Sequence, residues 1–250
     1  MLKIFIRYSK LLSITRNLRE TLSLSVSFSI PFELKIFDPK LDIKVLNPSL
    51  GVDEAVYYTK ACDIDFDAIY FARLHPLKGL FDIPLIWKKV VEVKPYAKLI
   101  VAGSWQNKIY EYEFYKLCRK LNLLNNIKYV GFLPKEILYS YVKSAKVLLY
   151  PSYLDSFPLT VLETLACGIP VIACNINPIR LTYRTDAVIK VYTNDLNKFA
   201  ENVITVLEDE ALRKKLSQNA LAFASKYDWD SAAKEEFNSI QTILNYWAGK

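Results

Sequence analysis

The sequence has few of the residues that build disulfide scaffolds and metal sites. Of its 250 residues, four are cysteine and one is histidine. Because Cys62, Cys118, Cys167 and Cys174 form no close pair, the ligand spacing of a structural zinc site is absent. We therefore expect free thiols, as in a reducing cytoplasm, and no bound metal.

Long apolar runs are missing as well. The N-terminal stretch MLKIFIRYSKLL is interrupted by Lys3, Arg7 and Lys10, which leaves no apolar segment of the kind that a signal peptide or a membrane span needs. Internal repeats and low-complexity linkers are not apparent either. We expect a cytoplasmic protein, with a peripheral contact at the membrane as an open alternative.

Charge of one sign is not concentrated anywhere along the chain. The 33 Lys and Arg residues against 26 Asp and Glu give a net charge of +7, which favours anionic partners such as phosphates, acidic lipids or nucleic acid. The excess is dispersed, and no nucleic-acid recognition motif accompanies it. We therefore expect no nucleic-acid partner.

From Asp42 onward, short apolar runs alternate with longer amphipathic segments, and Gly, Pro, Asn or Asp separates them. The predicted strands are residues 43–46, 68–72, 98–102, 127–130, 147–150, 171–174 and 187–191. The predicted helices are residues 80–93, 108–121, 135–143, 159–167, 196–208, 210–226 and 231–247. This pattern predicts an α/β fold with a Rossmann-like, doubly wound parallel sheet and the last two helices packed back on it.

Residues 1–41 are predicted as an N-terminal region beside one domain at residues 42–250. Apolar residues at helical spacing after Ser9 predict a helix over residues 9–22. The run LSLSVSFSI alternates apolar residues with serine over residues 22–30, which is the period of a strand with one buried face. Pro31 is expected to end that strand.

Polar and cationic residues follow several predicted strands, at the edge where open α/β sheets bind ligands. Arg73 and Lys78 follow the strand at 68–72, and Asp155 follows the strand at 147–150. The same place after other strands is taken by Gly103, Ser104 and Gly131. A helix that begins near Pro158 adds free N–H groups, so we expect an anion to bind there.

Glu163 is the sole charged residue between Asp155 and Arg180, and it lies in an otherwise apolar helical segment. A buried carboxylate without a partner is costly. Glu163 therefore needs either a donor from the protein or a pair of ligand hydroxyls. The residues alone leave both alternatives open.

Five segments occur in the order and at the distances of one known family. They are NPSLGVD (47–53), YFARLHPLKGL (70–80), KLIVAGSW (98–105), YVGFLPKEILYSYVKSAKVLLYPS (129–152) and the run from Asp155 to Glu163. With these segments the chain resembles the retaining GT-B glycosyltransferases of family 4, the glycosyl transferases of group 1. The resemblance implies the C-terminal, nucleotide-sugar-binding half of a GT-B fold.

The same resemblance implies roles for four candidate catalytic residues. Arg73 and Lys78 would bind the diphosphate of the donor and offset the charge on the departing nucleotide. Glu163 would bind the ribose hydroxyls, and Asp155, where the family usually has Glu, would contact the donor sugar. Beyond the nucleotide sugar itself, no metal or other cofactor is implied.

Further donor contacts are implied for the loops around these residues. The segments near phosphate and sugar contain Gly103, Ser104, Ser156, Phe157, Pro158 and Leu159. Pro158 has no N–H and stands where glycine is common in the family. The region that contacts the base contains Gly131, Phe132 and Leu133, although a phenylalanine is more often a core residue.

A complete enzyme of this family has a further Rossmann-like domain that binds the acceptor. Residues 1–41 are too few for such a domain, and IFIRYSKLLSITRNL resembles only its last part. We therefore expect a donor-binding half that acts with a separate acceptor-domain protein on an unknown acceptor. The alternative is a non-catalytic nucleotide-sugar-binding protein or remnant.

Overall fold

The computed structural model describes residues 23–25 and 27–248, with the side chains of Phe37, Tyr246 and Trp247 excepted. The predicted helix at 9–22 lies outside these residues. The chain groups into two compact units, one of residues Val52–Ser225 and one of Met1–Gly51 with Lys226–Lys250. The domain division that we predicted between residues 41 and 42 stays a prediction.

In its described residues, the smaller unit contains two short strands and two helices. Strands β1 (Ser23–Ser25) and β2 (Ile43–Val45) pair in parallel, and helix α1 (Ser29–Phe37) lies between them in the chain. The last helix of the chain, Trp229–Ala248, groups with them. The strand at 43–46 was predicted as part of the large sheet, and this prediction is wrong because β2 pairs with β1 instead.

The serine-rich run at 22–30 also departs from the prediction. Only β1 is a strand in its described part, and Ser29 already begins α1. Three serines of this run are buried: Ser25, Ser27 and Ser29 are at most 7% exposed. The Oγ atoms of Ser27 and Ser29 lie 2.8 Å apart. Hydroxyls that hydrogen-bond to each other can be buried at little cost. Pro31 lies in the first turn of α1, where its missing N–H breaks no helical bond.

The larger unit is built on a six-stranded sheet in which all neighbouring strands are parallel. Its strands are β3 (Ala68–Phe71), β4 (Leu99–Ala102), β5 (Ile127–Tyr129), β6 (Val147–Tyr150), β7 (Val171–Cys174) and β8 (Val188–Val191). Their order, β5-β4-β3-β6-β7-β8, is that of a doubly wound Rossmann-like sheet. The predicted fold class is confirmed.

Helices alternate with these strands as predicted, one short helix precedes the first strand, and two helices of this unit follow the last strand. They are α2 (Ala55–Tyr58), α3 (Asp82–Val93), α4 (Lys108–Lys120), α5 (Lys135–Ser144), α6 (Leu159–Ala166), α7 (Asn177–Thr182), α8 (Leu196–Glu208) and α9 (Glu210–Ala224), and α10 is the helix Trp229–Ala248 of the smaller unit. Helix α9 packs on α6 and α8, as expected. In the described part of the chain, no helix is long and apolar enough to cross a membrane.

The core of the larger unit surrounds the central strands. Every residue of β3, β4, β6 and β7 is buried, as continuous apolar runs predict for strands that helices cover on both faces. The chain winds in one direction from β3 to β4 and β5, and in the other from β6 to β7 and β8. Ligands of such sheets bind where the direction changes, which here is the carboxyl edge of β3 and β6.

Candidate functional site

The loop after β3 carries two of the predicted cations. Arg73 is exposed, and in the described part of the chain its side chain has no hydrogen bond or ion pair. A 3₁₀ turn (Pro76–Lys78) follows, and Gly79 ends it with a φ of 73°. A Cβ atom on Gly79 would lie 2.3 Å from the carbonyl oxygen of Pro151. This loop therefore packs directly on the segment after β6.

Lys78 is bound by that neighbouring segment. Its Nζ atom lies 2.6 Å from Oδ2 of Asp155 and 3.0 Å from the carbonyl oxygen of Leu154. The hydroxyl of Tyr150 donates to the same Oδ2, while Oδ1 accepts the N–H of Ser156 at 2.8 Å. The carboxylate for which the resemblance implies a sugar contact is thus held by three donors of the chain itself.

His75, between the two cations, has a local role. Its Nδ1 accepts the N–H of Leu77 at 3.1 Å, and its ring meets that of Tyr110 edge-on at a centroid distance of 5.5 Å. The imidazole thus caps the short turn that carries Lys78.

Glu163 lies on α6 and has a protein donor. The hydroxyl of Tyr139, on α5, donates to its Oε1 at 2.9 Å. Burial raises the pKa of Glu163, and the hydrogen bond from Tyr139 and the charge of Lys135 act in the opposite direction. Of the two alternatives that the residues left open, the structure supplies the protein donor for Oε1. Within the described ranges, Oε2 has no hydrogen-bond partner and stays available to a ligand hydroxyl.

Asp53 and Lys135 form an ion pair beside Glu163. This contact lowers the pKa of Asp53 and raises that of Lys135. Among residues 23–25 and 27–248, no three His, Cys, Asp or Glu side chains gather so that they could hold a metal ion.

The loops after β4 and β5 are bound to each other. The N–H of Gly103 donates to the carbonyl oxygen of Gly131 at 2.8 Å, and the hydroxyl of Tyr129 donates to that of Gly103 at 3.0 Å. Gly103 has a φ of 134°, and a Cβ atom there would lie 1.9 Å from the carbonyl oxygen of Ala72. No other residue type fits this position without a shift of the backbone, so the segments after β3, β4 and β5 meet here.

A cavity of about 230 Å³ opens between these segments. It is lined by Phe71, Ala72, Arg73, Ala102, Gly103, Ser104, Phe132, Leu133 and Leu138. Five of the predicted site residues thus share one cavity, whereas Lys78, Asp155 and Glu163 do not line it. Phe132 is 73% exposed, so the alternative that placed it in the core is wrong.

The segment before α6 offers fewer N–H groups than the resemblance implies. The N–H of Ser156 binds Asp155, that of Leu159 donates to the carbonyl oxygen of Phe157 at 2.9 Å, and Pro158 has none. The carbonyl oxygen of Pro158 accepts the hydroxyl of Tyr183 at 2.7 Å. Of the four predicted residues, Phe157 alone keeps an N–H with no partner in the described part of the chain.

Sequence reasoning missed the tyrosines that hold the site. Tyr139 and Tyr150 donate to the two predicted carboxylates, and Tyr129 donates to Gly103. Tyr150 is the last residue of the buried strand β6, and Tyr139 is a buried residue of helix α5. Buried tyrosine hydroxyls usually find a partner, and this rule was the available signal.

Known proteins of one family are similar to this chain in sequence and fold. The family model of the glycosyl transferases group 1 matches residues 63–223. An uncharacterised glycosyltransferase of Methanocaldococcus jannaschii is 28% identical over 237 residues, which cover 88% of this chain and 60% of that protein. The chain spans about half the length of the curated relatives that it matches.

Solved structures show the same fold. Sucrose-phosphate synthase of Thermosynechococcus elongatus superposes with a TM-score of 0.82 at 19% identity, over 95% of this chain and 62% of that one. HepE of Anabaena, solved in complex with UDP and glucose, superposes with a TM-score of 0.80 at 18% identity, over 94% and 67%. Since the family model covers more than half of the chain, this protein belongs to the glycosyl transferases of group 1.

Proposed function

We propose that this chain binds a nucleoside diphosphate sugar and serves as the donor-binding part of a retaining hexosyltransferase. The proposal rests above all on Arg73 and Lys78, which follow the carboxyl end of β3, and on the position of Arg73 in the same cavity as Gly103 and Ser104. Doubly wound sheets bind nucleotides at this edge. HepE was solved with UDP and glucose, so uridine nucleotides are the first ligands to test.

Arg73 and Lys78 would carry the diphosphate. The guanidinium of Arg73 is exposed and has no partner in the described part of the chain, so it is available for a bidentate contact with phosphate oxygens. Lys78 would add a second positive charge. Together they would stabilise the negative charge on the leaving nucleotide, the role that a metal ion has in other transferases.

The rest of the nucleotide would lie on both sides of these cations. Glu163 would accept a ribose hydroxyl through Oε2, which Tyr139 leaves unoccupied. The base would enter the cavity of about 230 Å³ at Phe132 and Leu133, whose mainly apolar side chains suit a flat ring. Asp155 would act through Lys78, to which it is already bonded.

Transfer would need an acceptor-binding domain as well. The chain spans about half the length of its relatives, so activity of the whole enzyme is proposed only together with such a domain. A cytoplasmic location, with or without peripheral contact at the membrane, is part of the same proposal.

Calorimetric titration with UDP-glucose, GDP-mannose and ADP-glucose tests donor binding. We expect saturable binding of one of the three at one site per chain, and the same affinity with and without EDTA. If none of the three binds, the proposed function is wrong. Loss of binding on addition of EDTA would overturn the metal-free site alone.

Product analysis tests the reaction. With an acceptor-domain protein and a mixture of candidate acceptors, we expect transfer with the anomeric configuration of the donor retained, as read from the NMR coupling of the anomeric proton. Inverted products would refute the retaining mechanism. Donor binding without transfer to any acceptor would favour the alternative of a non-catalytic nucleotide-sugar-binding protein.

A further inference from the structure

Tyrosine hydroxyls bind the segments on which the proposed donor site depends. The five are those of Tyr70, Tyr129, Tyr139, Tyr150 and Tyr183. Three of them donate to backbone carbonyls, whereas Tyr139 and Tyr150 donate to carboxylates. Of these two, Tyr150 alone meets a carboxylate that also holds a proposed ligand of the diphosphate.

Tyr150 is the last residue of β6 and is 3% exposed. Its hydroxyl and Nζ of Lys78 converge on one atom, Oδ2 of Asp155. The other oxygen of that carboxylate accepts the N–H of Ser156. The Asp155 carboxylate is therefore held in one orientation, by Tyr150 at the end of β6 and by the N–H of Ser156 in its own loop.

The ammonium of Lys78 has three N–H donors. Two of them are directed to Oδ2 of Asp155 and to the carbonyl oxygen of Leu154. In the described part of the chain, the third has no acceptor. Since the other two bonds fix the direction of this third N–H, an anion that meets it does not have to order the side chain first.

We propose that Tyr150 is a positioning residue for the donor diphosphate: it holds Asp155, and Asp155 aims the ammonium of Lys78. This inference rests on the proposed function, because Lys78 is taken to meet a diphosphate.

Two effects of the Tyr150 hydroxyl favour the diphosphate. It keeps Asp155 from rotating, so Lys78 stays in the direction described above. Its hydrogen bond also offsets part of the negative charge on Oδ2, so Asp155 competes less strongly with phosphate for the ammonium of Lys78. Burial raises the pKa of Tyr150, and the hydroxyl therefore stays a donor throughout the pH range of an assay.

The variant Tyr150→Phe tests the proposal in the full-length chain. UDP, GDP and ADP are titrated first, and the tightest binder is compared with its nucleoside, which lacks phosphate. We expect affinity for the diphosphate to fall about tenfold, as the loss of one hydrogen bond to a charged group gives, and affinity for the nucleoside to stay unchanged. Tyr141→Phe is the matched control, because Tyr141 is half-buried on α5, packs on Phe66 and makes no contact with the site.

A double-mutant cycle separates positioning from general loss of structure. If Tyr150 acts through Asp155, then Tyr150→Phe has no further effect on diphosphate affinity in the Asp155→Ala background. Additive losses, or equal losses for the diphosphate and the nucleoside, would overturn the proposal. So would unchanged diphosphate affinity in Tyr150→Phe alone.

A measurement on the wild-type chain keeps the test decisive if the variant does not fold. In a crystal structure with the bound diphosphate, Oδ2 of Asp155 must remain within hydrogen-bond distance of both Tyr150 and Lys78. Separation of Lys78 from Asp155 would refute the role of Tyr150. A wild-type chain that binds none of the three diphosphates would instead refute the proposed function.

Discussion

The hydroxyl of Tyr139, on α5, lies 2.9 Å from Oε1 of Glu163, on α6, and donates to it. One hydrogen bond does not restore the hydration that this carboxylate loses in the fold, and burial still raises the pKa of Glu163. The ionised carboxylate therefore destabilises the native state. A buried carboxylate with a raised pKa is typical of functional sites, in line with the ribose contact that we propose for Glu163.

We expect Glu163→Gln to raise the melting temperature near pH 7. Because the pKa is raised, the native chain binds this proton more tightly than the unfolded chain, and stability falls as the pH rises above the unfolded value of about 4.5. The gain of the variant should be about 2–4 °C, which corresponds to ~1 kcal/mol for a protein of this size. It should shrink toward zero near pH 4, where both states are protonated.

Thermal unfolding at the two pH values measures this effect, and Glu201→Gln is the control. The side chain of Glu201 is 62% exposed, so no gain in melting temperature is expected there. A lower melting temperature for Glu163→Gln near pH 7 would show that the carboxylate stabilises the fold.

Arg73→Ala is expected to weaken diphosphate binding without a change in stability. In the described residues the guanidinium has no partner whose loss would destabilise the fold, and exposed substitutions of this kind change stability by about 0.5 kcal/mol or less. The lost charge-assisted contacts should lower the affinity for UDP about tenfold or more. Calorimetric titration with UDP checks the first expectation and thermal unfolding the second, each beside the control Arg119→Ala on the exposed face of α4.

Phe132→Ala is expected to act on the base rather than on the diphosphate. Phe132 is 73% exposed and contributes little to the core, so the melting temperature should stay the same. Loss of stacking at the cavity should weaken binding of uridine and UDP by the same factor, about fivefold, at the lower end of the ~1–3 kcal/mol known for base stacking. Tyr96→Ala, at a residue that is 92% exposed, should leave both affinities unchanged.

Two glycine-to-alanine substitutions are expected to lower the free energy of unfolding by different amounts. A Cβ atom on Gly131, whose φ is 81°, would meet no atom within 4 Å, so Gly131→Ala should cost only about 1–2 kcal/mol of backbone strain. At Gly103 the added atom would lie 1.9 Å from a carbonyl oxygen, and Gly103→Ala should cost about 3 kcal/mol or more. Urea unfolding of both variants measures the difference, and equal costs would contradict the close packing at Gly103.

The large sheet could be predicted because its four central strands, β4, β3, β6 and β7, are continuous apolar runs between turn residues. Residues 147–150 and 171–174 were predicted with the observed bounds. Helices α2 and α7, with four and six residues, are too short to show a helical period. The prediction of a single strand over residues 22–30 was wrong. Alternation shows only that the two faces of a segment differ, and hydrogen-bonded serines can form the buried face.

Positions in the site could be predicted, but their partners could not. Arg73 and Lys78 were found because they follow a strand, and a strand end is visible in the sequence. The contact of Lys78 with Asp155 joins residues 77 positions apart, and only the packing of β3 beside β6 produces it. Phe132 was ambiguous because its residue type suggests burial, whereas its place after Gly131, with a φ of 81°, turns it outward.

The close approach of Gly79 to Pro151 has a consequence for changing the nucleotide preference that we propose for this chain. A Cβ atom on Gly79 would lie 2.3 Å from the carbonyl oxygen of Pro151. The loop of residues 73–78 and the loop that carries Asp155 therefore have no free space between them. Directed evolution that randomises residues 73–78 alone will mostly yield chains in which the two loops no longer match. Libraries that keep glycine at 79 and vary both loops together should retain many more folded candidates.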